Sequence, residues 1–383
     1  MLLLPLDWSG ICDPLAFAAV LSSRSPIALT VWSLLNPAAS LCDVGIGIAR
    51  ALERGDFDGR LGRALSAQWG RVATRTLARS LDLYDKPTVA IGGATLGGSG
   101  KTPLAIACAR FLADSGARVA FVGHAYRAHP RHARVVKSSD ALADVGDEAL
   151  LAARALLGTS VTVVVAPRRA DAVAFASRCS DVIVLDGVAQ TAPDRASLAL
   201  LAVDAQEPWG RSHNVPPSGD LRAPVDALLS ACDAVVAITD PQPGRQRELI
   251  GGSWEARARS RGVWLDRKLV SWDRLAGARV GLVCALARPH RVWRFVEARG
   301  VSVRAIVRAP DHGPFRLPSA GPAPGRLADK DAPDMWLATA KCAIHLAAAH
   351  AARKWEPRLT AVIDYAVSLG PELGGRLRRL GSP

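Results

Sequence analysis

From Lys86 onward the chain alternates short apolar runs with segments of helical periodicity. Residues 87–92 form a continuous apolar run, as expected of a strand buried on both faces. A glycine-rich stretch follows, and then a segment over 101–115 in which Leu104, Cys108, Phe111 and Leu112 recur on one helical face. Further apolar runs at 118–123, 161–166 and 181–185 flank a helix near 147–157 and a second helical segment. This β-α-β-α order predicts a parallel, doubly wound sheet. Later runs lie at 198–203, 234–238 and 280–285.

A second α/β unit begins near Gly277, with a helix over 289–299 and a strand over 302–307. It continues through 335–339, a helix from Lys341 and a strand near 359–364. Two Pro/Gly-rich stretches, 207–224 and 313–333, read as long loops, which in compact domains tend to be functional or disordered. At 383 residues the chain fits two domains better than one. The expected division is an apolar N-terminal segment over 1–55, a nucleotide-binding core over 56–275 and a smaller α/β domain over 276–383.

The first basic residue is Arg24, so the start lacks the charged n-region of a secretory signal. Residues 25–42 carry no charge but are interrupted by Pro26 and by Asn36-Pro37. With Trp8 and Trp32 nearby, this segment suits a short span, an interfacial helix pair or a buried core hairpin.

The charge balance changes the picture of partners. There are 48 Lys and Arg against 35 Asp and Glu, a net charge of +13. Such a field attracts anionic lipid, phosphorylated substrates or nucleic acid. No nucleic-acid motif accompanies it. Seven cysteines stand far apart with no CxxC pair, which argues against a zinc site or a disulfide framework.

The chemistry centres on Thr95-Leu96-Gly97-Gly98-Ser99-Gly100-Lys101-Thr102, between a strand and a helix. The glycines let successive backbone N–H groups face phosphate oxygens, and the helix start adds partial positive charge. Lys101 then reaches the β/γ-phosphates of ATP, and Thr102 ligates Mg²⁺. Thr95 stands where the usual pattern has glycine. Asp186, ending the run 181–185, is the expected second Mg²⁺ ligand. Asp147 suits either a helix cap or a general base.

These motifs resemble the tetraacyldisaccharide 4′-kinase family, which phosphorylates a lipid A precursor. Ile91 to Pro103 (I-G-G-A-T-L-G-G-S-G-K-T-P) is similar to its V-G-N-L-T-V-G-G-T-G-K-T-P, so Thr95 is what the family has. Residues 145–151 (V-G-D-E-A-L-L) resemble its G-D-E-P-L-L, and 217–224 (P-S-G-D-L-R-A-P) its P-A-G-P-L-R-E-P. Ala309-Pro310-Asp311-His312 is similar to its F-P-D-H-H. Four segments depart from the family. Its D-D-G-x-Q-H falls on residues 185–190, with Leu185 at the first Asp and Gln190 at the His. Its S-R-G-Y falls on Gly123-His124-Ala125-Tyr126, its T-E-K-D on Thr339-Ala340-Lys341-Cys342, and its last His on Gly313.

The resemblance implies a P-loop NTPase-like fold with a smaller second α/β domain and an N-terminal membrane-associated helical segment. It implies transfer of the ATP γ-phosphate to the 4′-hydroxyl of an acylated disaccharide 1-phosphate lipid. The place implied is the anionic cytoplasmic face of the inner membrane, with the chain peripheral or N-terminally anchored and no nucleic acid bound. It pairs Asp147 as base with His312 of the Asp311-His312 motif, and Lys101 with the transferred phosphate. The departures leave two other readings open: a catalytically weakened nucleotide- and lipid-binding protein, or another P-loop small-molecule kinase. A guanine-specific N-K-x-D is absent.

Overall fold

The computed structural model describes residues 51–240, 251–309, 333–351 and 360–381. The expected apolar segment 25–42, the Asp311-His312 pair and most of the loop 313–333 lie outside them.

The larger sheet has nine strands in the order β17-β10-β9-β8-β2-β6-β3-β5-β4. They are β2 (Thr88–Gly93), β3 (Val119–Val122), β4 (Arg134–Val135), β5 (Val161–Val165), β6 (Val182–Asp186), β8 (Leu198–Asp204), β9 (Ala234–Thr239), β10 (Trp254–Arg259) and β17 (Ala366–Leu369). Neighbours from β10 through β5 are all parallel; β4 and β17 close the two edges antiparallel. A short parallel pair, β1 (Ala78–Ser80) with β7 (Gln190–Ala192), stands beside it.

The central strands are apolar throughout because both faces are covered. On one face Val89 and Ile91 of β2 and Val184 of β6 pack with Leu104, Cys108 and Leu112 of helix α2 (Lys101–Asp114). On the other, Ala90, Ile183 and Leu185 pack with Ala172 and Val173 of α5 (Arg169–Cys179). The period-2 alternation of the strand therefore divides the core into two layers. Helices α1 (Arg60–Arg75), α3 (Leu142–Val145), α4 (Asp147–Ala155) and α6 (Val225–Ala231) complete this domain.

The second sheet has six strands in the order β12-β11-β16-β15-β13-β14. They are β11 (Gly262–Leu265), β12 (Lys268–Ser271), β13 (Arg279–Cys284), β14 (Ser302–Arg308), β15 (Met335–Ala338) and β16 (Thr360–Ile363). Helices α7 (Pro289–Glu297) and α8 (Ala340–Ala351) accompany it. The last helix, α9 (Pro371–Gly381), returns to the first domain, where Leu373 and Leu377 join the core beside α2.

The structure departs from the boundary expected at 275/276. Strand β10 pairs in the large sheet while β11 and β12 pair in the small one, and β17 and α9 come back after β16. The chain thus crosses between sheets twice, near 260 and near 364. The two crossings lie side by side: Arg259 faces Ala366, Val263 faces Ile363, and Asp364 N donates to Gly262 O at 3.0 Å. β10 escaped notice because its buried Ala256 and Ala258 alternate with Glu255, Arg257 and Arg259.

Candidate active site

The glycine-rich loop leaves β2 at the carboxyl end of the sheet and enters α2 at Lys101. The C-terminal edge of a doubly wound sheet is where ligands gather. Gly98 and Gly100 have φ of 75° and 83°, conformations that favour glycine. A Cβ on Gly98 would meet Arg288 Cδ at 2.8 Å, and one on Gly100 would run into Ile238. Thr95 Oγ1 donates to Gly97 O at 2.8 Å, closing the loop's first turn.

The long loop of residues 207–224 supports this one from below. Leu96 N donates to Asp220 O at 2.9 Å and Arg222 N to Ala94 O at 2.8 Å, with Thr95 bridged to Leu221. The resemblance of residues 217–224 to a family motif thus has a structural reason.

Lys101 Nζ lies 2.5 Å from Glu148 Oε1. Burial disfavours its charge, but Glu148 and Asp186 outweigh this and hold its pKa above the ordinary lysine value. Thr102 Oγ1 donates to Asp186 Oδ2 at 2.7 Å. Asp186 Oδ1 is buried with no hydrogen-bond partner among the described residues. Burial pushes this carboxyl up and Lys101 opposes the shift. A hydroxyl and an orphaned carboxylate oxygen beside a phosphate cradle fit Mg²⁺, which takes few protein ligands and completes its shell with water and phosphate. Among the described residues no group of three His, Cys, Asp or Glu side chains could hold a metal alone. Leu185 sits in the α5-side layer, on the face of β6 opposite Asp186.

Asp147 is the first residue of α4, directly after the N-cap Gly146. It is 2% exposed, and its Oδ2 lies 2.9 Å from His345 Nε2 and 3.5 Å from Lys341 Nζ, both on α8 of the second domain. Sequence reading missed Glu148, His345 and the active partner role of Lys341. Glu148 carried a signal in its adjacency to Asp147; His345 carried none, lying 198 positions away.

Helix α7 supplies a second interdomain contact. Arg291 Nε meets Asp204 Oδ2 at 2.8 Å and Arg294 Nη1 meets Gln206 Oε1 at 2.9 Å. Just before it, Arg288 is 3% exposed and pairs with Asp220, leaving its Nε and Nη1 and Asp220 Oδ1 without hydrogen-bond partners. Between the domains lies a cleft of about 1620 Å³, bordered by Lys101, Glu148, His124, Arg169, Arg288 and Lys341. His124 is half-buried there; burial and then Arg169 pull its pKa down to about 4.

The chain matches the family model of tetraacyldisaccharide-1-P 4′-kinases, LpxK, over residues 62–380. It is 33% identical over 336 residues to the tetraacyldisaccharide 4′-kinase of Methylobacterium sp. (strain 4-46), covering 85% of this chain and 95% of that one. It is 36% identical over 286 residues to the corresponding protein of Anaeromyxobacter sp. (strain K), covering 70% and 74%. The fold is shared with the crystal structure of LpxK from Aquifex aeolicus in complex with ATP, with a TM-score of 0.59 and 19% identity over 84% of this chain and 99% of that one. With these matches spanning the phosphate loop and both sheets, the chain belongs to the tetraacyldisaccharide-1-P 4′-kinase family.

Proposed function

We propose that the protein transfers the γ-phosphate of ATP to the 4′-hydroxyl of a tetraacylated disaccharide 1-phosphate. The observation that carries this is the assembly of Lys101, Thr102, Glu148 and Asp186 at the glycine-rich loop, in a member of this kinase family.

Thr95 to Thr102 present backbone N–H groups and the start of α2 to the phosphates. Lys101 exchanges Glu148 for phosphate oxygens and neutralises charge there. Thr102 and Asp186 would hold Mg²⁺, which would supply further charge neutralisation at the phosphates. Asp147 accepts the proton of the acceptor hydroxyl. The resemblance extends this proposal to Asp311 and His312. Leu185 removes no group from the face that carries Asp186 and Thr102, which favours an active kinase over a weakened nucleotide-binding protein.

Membrane association belongs to the same proposal. Among the described residues no helix is long and apolar enough to cross a membrane. Helix α1, however, exposes Leu61, Leu65 and Val72, at 75%, 45% and 36%. They fall within about 40° of one another at helical spacing. Arg60, Arg71 and Arg75 line one side of them, as on a helix lying at an anionic interface.

The test is transfer of ³²P from ATP to a tetraacyldisaccharide 1-phosphate by the purified full chain with Mg²⁺. Formation of the labelled 1,4′-bisphosphate is expected. Nucleotide binding without any lipid product would favour the weakened-catalyst reading instead.

A further inference from the structure

Asp147 belongs to the first domain, yet the groups that contact its Oδ2 come from the second. His345 Nε2 and Lys341 Nζ are one helical turn apart on α8, at i and i+4, and converge on that one oxygen at 2.9 Å and 3.5 Å. Residues at this spacing share a helix face, so a single rigid element delivers both. The element is anchored: Ile344, between them, is buried in the first domain's core cluster with Val145, Ala149 and Ala152. His345 is itself 5% exposed. A buried histidine and a buried carboxylate in contact each offset the other's desolvation.

We propose that His345, together with Lys341, is a positioning element of the catalytic base in this chain; this rests on the reading of Asp147 as that base. His345 donates from Nε2 to the carboxylate and fixes its rotation about the Cβ–Cγ bond. Lys341 adds a second partner, a cationic one, at the same oxygen. A base held in one orientation accepts a proton from a substrate hydroxyl without first reorganising. Because both groups belong to α8, the base is oriented only while the second domain is seated on the first. When the hydroxyl proton moves to Asp147, the alkoxide oxygen forms the new P–O bond and the bond to the ADP leaving oxygen breaks; His345 gains and loses no proton.

The experiment uses the full chain in detergent with Mg²⁺ and measures kcat, the KM for each substrate, and the affinity for a β,γ-methylene ATP analogue. His345→Ala, His345→Gln, Lys341→Ala and Asp147→Ala are compared with the wild type, and each variant's melting is recorded to confirm folding. His345→Ala is expected to lower kcat by about tenfold to a hundredfold, less than the hundredfold or more that a general base itself contributes, with analogue affinity within about twofold. His345→Gln, which keeps an N–H donor, is expected to recover part of that loss. The double variant His345→Ala/Asp147→Ala should be no worse than Asp147→Ala alone, as for residues acting as one unit. A kcat for His345→Ala within about twofold of wild type overturns the inference, since the loss expected of a base-positioning group is larger. So does a double variant whose loss is the product of the single losses. A near-normal kcat for Asp147→Ala instead overturns the base assignment itself.

Discussion

Lys101 and Glu148, 47 positions apart, form an ion pair at 2.5 Å in which neither side chain is more than 17% exposed. The lysine that we propose binds phosphate is therefore already ordered, but by a carboxylate that occupies its charge. On that proposal phosphate has to displace Glu148 from it.

Two outcomes follow from that exchange. Lys101→Ala should lower ³²P transfer by at least about a hundredfold, since charge neutralisation supplies most of this catalysis. Glu148→Gln should bind the β,γ-methylene ATP analogue several-fold more tightly by calorimetry, because the competing charge is gone. Unchanged or weaker binding would mean that Glu148 does not compete with phosphate.

Asp186 carries one buried oxygen on Thr102 and one with no described partner. Asp186→Asn is expected to abolish transfer, and in the wild type transfer should vanish with chelator and return on titration with Mg²⁺. Retained activity with unchanged Mg²⁺ dependence in the variant would place the metal on another carboxylate.

The buried Arg288–Asp220 pair joins the second domain to the loop beneath the phosphate cradle. Removing one member leaves the other charged and buried, a loss on the order of 3–5 kcal/mol. Arg288→Ala should therefore lower the urea midpoint strongly, whereas Arg288→Met combined with Asp220→Asn should recover much of the loss. Additive losses in the double variant would show that the pair is not coupled.

His124 gives a pH signature. Its folded pKa of about 4 lies below the ordinary 6.5, so the native state favours the neutral ring. The unfolded chain takes up a proton as pH falls through 6.5, while the native chain does not until about 4. Its contribution is present above pH 6.5 and lost between 6.5 and 4. The loss is at most about 3 kcal/mol. Stability measured by urea at pH 7 and pH 5 should differ less in His124→Gln than in wild type; equal differences would point to other groups.

Leu61→Glu with Leu65→Glu on α1 should reduce flotation with vesicles containing anionic lipid, while leaving the first domain folded, since both side chains are exposed. Undiminished flotation would put membrane attachment elsewhere in the chain.

The large sheet and the phosphate loop were legible because parallel strands are uniformly apolar and the loop is a local pattern with fixed spacing. Asp186 was legible for the same reason, standing at the end of such a run. What stayed hidden was non-local. β10 alternates buried Ala with exposed Arg, β17 is only partly buried, and nothing local tells that they join the first sheet rather than the second. The partner of Asp147 could be expected only by analogy, at His312, which lies outside the described residues. The side chain found there, His345, reads in sequence as one more residue of an alanine-rich helix.

The paired crossings between the sheets have a mechanical consequence. β10 with β17 and β11 with β16 make one continuous antiparallel ribbon, tied at its middle by Asp364 to Arg261 and Gly262. A two-stranded ribbon flexes readily out of its own plane, but sliding or splaying its strands breaks ladder hydrogen bonds. A second domain opening on such a ribbon would do so like a book along its spine. α7 and α8 would then lift together, and the contacts of Arg288, Arg291, Lys341 and His345 would open and close as a set rather than one at a time.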